Sequence, residues 1–219
     1  MENLSPQNTM ASASAAPAPT INLSPRLIAD FRKAREFAER THRGDVEWIQ
    51  SRTTLVELFD DFFEEYVYVV VASGFRAIHA ARLCPQLIAC RGNVPKMLKV
   101  FGNQKKVEAI GAVWRMRSKW PALRKSFTSV DSLTQLPRIG PIVKFHLARN
   151  IGIRSVGKPD LHLVRYASAL GYPNCQEMVE ALAQHEGLAP GSTDFILWIW
   201  LSHNRGKENT CCHDGYKLR

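Results

Sequence analysis

The chain has 219 residues, 45% of them hydrophobic, with a formal charge of +9 and a pI near 9.5. That apolar content suffices for one compact unit or two small lobes, while no run approaches the roughly 18 consecutive apolar residues of a spanning helix; Tyr66 to Ala72 comes nearest and is too short. The excess of Lys and Arg favours a polyanionic partner, because phosphate neutralisation releases counterions, and five irregularly spaced cysteines fit a reducing compartment better than a disulfide framework.

Residues 1–23 are rich in Ala, Pro and Ser and have neither a basic start nor a continuous apolar stretch, so they read as a disordered tail rather than a secretory signal. Ser24 with Pro25 makes a helix start, and Leu27, Ile28, Phe31, Ala34, Phe37 and Ala38 recur at helical spacing up to a stop at Gly44. Thr53 or Thr54 is the expected cap of the next helix, whose face of Leu55, Leu58, Phe59, Phe62 and Phe63 opposes an acidic one. The valines of YVYVVVASGF suit a strand, but no turn signal separates them from the acidic helix, so a buried helix is predicted. A helix over 74–89 broken at Cys84 and Pro85, a short one over 94–100 and a longer one over 104–117 follow, with Ser129 and Asp131 as caps beyond. Further helices are expected from Asp160 to about Leu170, over 176–184 and over 193–202, before a polar tail from 206 to 219.

The segment LTQLPRIGPIVKFHLARNIGIRSVGKPDLHLVR, from Leu133 to Arg165, carries the functional signal. Leu133 and Leu136 close an apolar face, Pro137 ends it, and Gly140 with Pro141 turns the chain into a helix at Ile142. Such a turn leaves unpaired amides at a helix N-terminus, a ready phosphate site. A lone acid, Asp160, follows eighteen residues after Ile142.

LPRIG, the aliphatic helix after it and PDLHLVR together resemble the helix-hairpin-helix (HhH-GPD) DNA glycosylase superfamily, which includes endonuclease III and the 8-oxoguanine glycosylases. The order of elements agrees too, since FGNQKKVEAI is similar to the turn and lysine-bearing helix that precede the hairpin in that family. The resemblance implies an all-α fold of two helical lobes with a cleft between them. A terminal lobe would combine 24–66 with 156–205, and a central lobe, 67–155, would end in the hairpin. It implies double-stranded DNA as partner, extrusion of a damaged or modified base, and cleavage of its N-glycosidic bond with Asp160 as the catalytic acid.

The same resemblance puts the DNA grip on Arg138, Ile139 and Gly140, with His162, Arg165, Lys105 and Lys106 as further contacts, and the duplex wedge on Ser73, Gly74, Phe75 and Arg76. Two departures stand out. The first hairpin glycine is Arg138, which resists a positive φ, and Ile142 occupies the position where bifunctional relatives carry a nucleophilic lysine. Lys144 lies two residues on, rotated by roughly 200° about the helix, so hydrolysis without a Schiff base, a monofunctional chemistry, is expected. Lys144 and Lys158 are the amines open to a lyase step if the hairpin register differs.

Structural roles compete at each position. Asp160 is also a good helix N-cap, Phe75 a core residue, the lysines of 96–106 a solvated face, and Trp48, Trp114, Trp120, Trp198 and Trp200 mostly core. A hairpin that binds DNA without chemistry is the alternative to an enzyme, and the acid argues against it; Pro137 and Pro141 argue against a helix-turn-helix. Neither a cofactor, a metal site at His203, Cys211, Cys212 and His213, nor the four-cysteine loop of an iron-sulfur cluster is expected. A monomer in the cytoplasm at the nucleoid, or in the nucleus, completes the expectation.

Overall fold

The computed structural model describes residues 22–204, so both tail expectations and the pair Cys211 and Cys212 lie outside it. The described residues form eleven α-helices and no strand: α1 (Pro25–Thr41), α2 (Arg43–Ser51), α3 (Phe59–Ala72), α4 (Ala77–Ala89), α5 (Val94–Val100), α6 (Gln104–Trp114), α7 (Trp120–Ser126), α8 (Val143–Asn150), α9 (Leu161–Ala169), α10 (Cys175–Glu186) and α11 (Pro190–His203). Their apolar faces close two cores. One gathers α3 to α8, around Phe62, Tyr66, Leu87, Ile110 and Leu147; the other gathers α1, α9, α10 and α11, around Phe31, Leu163, Met178 and Leu197, with Val46 of α2 against it. The expected lobe boundary at 66/67 runs through α3, which packs wholly in the first core.

Local signals and tertiary contacts share the boundaries. Ser24 caps α1 as its sequence suggests, its hydroxyl accepting the Leu27 amide at 3.1 Å. Gly44 does not stop that helix; it lies in the first turn of α2, and α1 ends at Thr41. Neither Thr53 nor Thr54 caps α3, which starts at Phe59, because 52–58 is held in a non-helical path from outside. The Val56 amide donates to the Ile151 carbonyl at 2.9 Å, Arg124 donates to the Val56 and Leu55 carbonyls at 2.9 and 3.0 Å, and Trp120 Nε1 donates to Glu57 at 2.7 Å. The valines after Tyr66 continue α3 as a buried helix. α4 runs unbroken through Pro85: the carbonyl left without a partner four residues back belongs to exposed Ala81, where water can satisfy it.

Candidate active site

The hairpin forms, with a 3₁₀ turn over Asp131–Gln135 as its first arm and α8 as its second. Leu133, Leu136 and Ile139 anchor it in the first core, and Tyr66 donates its hydroxyl to the Pro137 carbonyl at 2.7 Å. Ile139, expected among the DNA contacts, is only 4% exposed, so its side chain is an anchor and its amide is spent on the Leu136 carbonyl at 3.2 Å. Arg138 takes the left-handed conformation at φ 64°, and Gly140 does not. The arginine therefore reproduces the backbone path that the family assigns to glycine, at a steric cost, and leaves its guanidinium exposed. Beyond it the amides of Gly140, Ile142 and Val143 have no acceptor among the described residues.

Asp160 lies across a cleft from the hairpin helix. Its Oδ1 caps α9, accepting the His162 and Leu163 amides at 2.9 and 3.2 Å, which leaves Oδ2 without a hydrogen bond. Capping and exposure to the cleft thus coexist in one carboxylate. Two adjoining cavities meet there. The first, about 310 Å³, runs between Ile142, Val143 and the Ser73–Gly74 turn; the second, about 180 Å³, is walled by Tyr68, Phe75, Phe195 and Trp198. Ala72, His146, Lys158 and Asp160 line both.

Beneath the cavities the two cores are joined by charge. Arg149 on α8 donates to Asp194 on α11 at 2.7 Å, both side chains buried, and Asp194 Oδ1 accepts the Lys158 amide at 3.0 Å. Burial raises the Asp194 carboxyl while Arg149 pulls it down, and burial, then Arg149 and Lys158, push the His146 imidazole well below its ordinary value. His146 is therefore neutral at physiological pH and can present a ring nitrogen as acceptor or donor. Glu65, raised to about 7 mainly by burial, accepts from Asn150 at 2.9 Å behind this layer.

The other expected residues divide. Phe75 is 40% exposed at the rim, its ring tilted against those of His79 and Phe101, and Arg76 opens α4 next to it. His162 is half-buried at the first turn of α9; Arg165 and Lys105 are exposed. Lys106 is a correction: it is buried and faces inward, its ammonium donating to the Val71 and Ser73 carbonyls at 2.8 and 2.5 Å. Lys144 turns from the cleft to pair with Asp131, in the first arm of the hairpin. Sequence reasoning missed His146, Arg149 and Asp194, while Trp198 of the aromatic wall is one of the tryptophans that the sequence reads as mostly core. One signal was present, since Asp194 is the lone acid in the apolar run of α11, and a buried charge demands a partner.

No family model matches the chain and no curated protein does. Solved structures do. An 8-oxoguanine DNA glycosylase of Thermotoga maritima matches with a TM-score of 0.63 at 22% identity, over 79% of this chain and 94% of its own. The chain has the fold of the helix-hairpin-helix DNA glycosylases. An 8-oxoguanine glycosylase/lyase of Methanocaldococcus jannaschii, solved in complex with DNA containing 8-oxoguanine, shares it at a TM-score of 0.63 and 17% identity, over 81% of this chain and 98% of that one. The shared fold accounts for the all-α architecture. Among the described residues, no helix is long and apolar enough to cross a membrane and no cluster of three or more His, Cys, Asp or Glu could hold a metal.

Proposed function

We propose that this protein is a DNA glycosylase that extrudes a damaged or modified base from duplex DNA and hydrolyses its N-glycosidic bond. The observation that carries the reading is Asp160: a carboxylate with one oxygen held by two amides and the other free, at the junction of two cavities opposite a helix-hairpin-helix turn. The unpaired amides of Gly140, Ile142 and Val143, with exposed Arg138, suit a phosphate of the strand. The cavity walled by Tyr68, Phe75, Phe195 and Trp198 suits a flat base, which regains in ring contacts the stacking it loses on leaving the duplex. Phe75 and Arg76 at its rim suit the gap left behind.

Asp160 then stabilises the positive charge that grows on the sugar as the base departs, or draws a proton from the water that attacks C1′. Hydrolysis is the reading for this step. Ile142 offers no amine, and Lys144 is committed to Asp131. A panel of duplexes, each holding one altered base, is the test, with abasic sites scored. Base release is expected from at least one duplex, and Asp160→Asn should lower it about 100-fold or more while leaving DNA affinity close to wild type. Release retained by Asp160→Asn would remove the acid from the mechanism.

A further inference from the structure

Asp194 holds two elements with its two oxygens. Oδ2 accepts the Arg149 guanidinium of α8 at 2.7 Å, and Oδ1 accepts the Lys158 amide at 3.0 Å, in the loop that ends at Asp160. The Asp160 amide returns to the Lys158 carbonyl at 2.7 Å, so the acid follows its anchor by one tight turn. Ser155 Oγ accepts the Gly191 amide at 2.9 Å and Gln176 donates to the Gly157 carbonyl at 3.4 Å, which ties the loop at two earlier points; the Lys158 amide is the tie closest to the acid. Two glycines permit this approach. A Cβ on Gly191 would lie 2.9 Å from Arg149 Cδ, and one on Gly157 would lie 3.2 Å from Val179 Cγ1. Stability gives little reason to bury such an ion pair, since a well-packed apolar pair of similar volume is commonly as stable or more so. What an apolar pair cannot supply is an acceptor for the Lys158 amide.

We propose that Asp194 is a positioning residue for base removal: oriented by Arg149 of the hairpin helix, it holds the Lys158 amide and so sets where the Asp160 carboxylate stands in the cleft. This role rests on the reading of Asp160 as the acid of base removal. The Asp194 side chain is 3% exposed, so it acts through the loop and not on the base. The leverage is large, because a displacement of about 1 Å at a reacting centre can cost about 100-fold in rate.

Two double variants separate this role from fold stability. Arg149→Met with Asp194→Asn removes both charges and keeps an oxygen for the Lys158 amide, whereas Arg149→Met with Asp194→Leu removes both charges and the acceptor. Neither leaves an orphan charge, so both are expected to fold, which urea unfolding checks. On a duplex whose altered base the wild-type protein releases, single-turnover release should stay close to wild type in the asparagine double and fall about 10- to 100-fold in the leucine double, with DNA affinity alike in both. The amides of His162 and Leu163, which Asp160 caps, report the acid's place without any chemistry. Their hydrogen exchange should match wild type in the asparagine double and quicken in the leucine double, while the later turns of α9 keep their rates. Equal release from the two doubles, or equal exchange at these amides, would make the pair purely structural and overturn the assignment. Slow release in both would do the same, by tracing the effect to the charges and not to the amide. If the wild-type protein releases no base from any modified duplex, the glycosylase reading fails, and exchange at His162 and Leu163 still decides whether Asp194 places Asp160.

Discussion

Arg138 shows how one residue can keep a motif's geometry while changing its chemistry. The hairpin needs a left-handed residue after Pro137, glycine supplies it without strain, and here an arginine adopts φ 64° instead. The left-handed conformation costs a side-chain residue about 1–2 kcal/mol, and glycine forfeits about half to one of that through the freedom it has when unfolded. Arg138→Gly should therefore raise stability in urea unfolding by up to about 1 kcal/mol. The same variant should bind duplex DNA more weakly and flatten the dependence of log affinity on log salt by about one unit, the signature of one lost phosphate contact. Unchanged salt dependence would mean that the exposed guanidinium touches no phosphate.

At the scale of elements, Lys106 connects two helices through a capping role invisible in its basic neighbourhood. The C-terminal turn of α3 leaves carbonyls without amide partners, and the Lys106 ammonium, reaching from α6, takes those of Val71 and Ser73. Burial lowers its pKa, with Arg138 adding to the effect, yet two carbonyls in hand give the charge a use. Because Ser73 begins the turn at the mouth of the first cavity, the same contact fixes the rim. Lys106→Met keeps much of the side chain's bulk and should cost about 1–3 kcal/mol of stability, since the buried Val71 carbonyl and the part-buried Ser73 carbonyl lose a charged donor. Faster amide exchange confined to 73–77 would show the rim loosening; uniform exchange would reduce Lys106 to a general stabiliser. The non-helical path of 52–58 belongs to the same scale, as its expected caps yield to Arg124, Trp120 and the Ile151 carbonyl.

Across the whole molecule, the cleft is a seam between two hydrophobic cores, and the Arg149–Asp194 pair crosses it underneath. Its worth lies less in attraction than in what each partner suffers alone. Removing one member of a buried pair leaves an uncompensated charge, at about 3–5 kcal/mol. Asp194→Asn preserves shape and an acceptor for the Lys158 amide but leaves Arg149 unneutralised, and a loss of that size in urea unfolding is expected. A loss under about 1 kcal/mol would show that water or a nearby carboxylate such as Glu65 takes over the arginine. The fold thus concentrates polar cost at the seam, where Asp194 holds the Lys158 amide two residues before Asp160.

By itself the sequence determined the helical class, the hairpin turn and the acidic cap of α9. Leu133, Pro137 and Gly140 act through backbone geometry within a few residues, the start at Ser24 and Pro25 is equally local, and the valines of α3 are helical by continuity with the acidic turn before them. Tertiary structure decided the rest. Asp160 reads as a cap in the sequence and is one, but only the opposition of α8 and α9 makes it a lining residue of a cavity. Lys106 and Lys105 are neighbours with the same charge, and the direction each points on α6 makes one a buried cap and leaves the other in solvent. Lys144 and Lys158 could not be ranked from spacing, because the difference between them is Asp131 beside one and a cavity beside the other. Local signals report energies that depend on adjacent dihedrals and side-chain periodicity; the site is made of contacts between residues far apart in the chain, and those exist only once the two cores have closed.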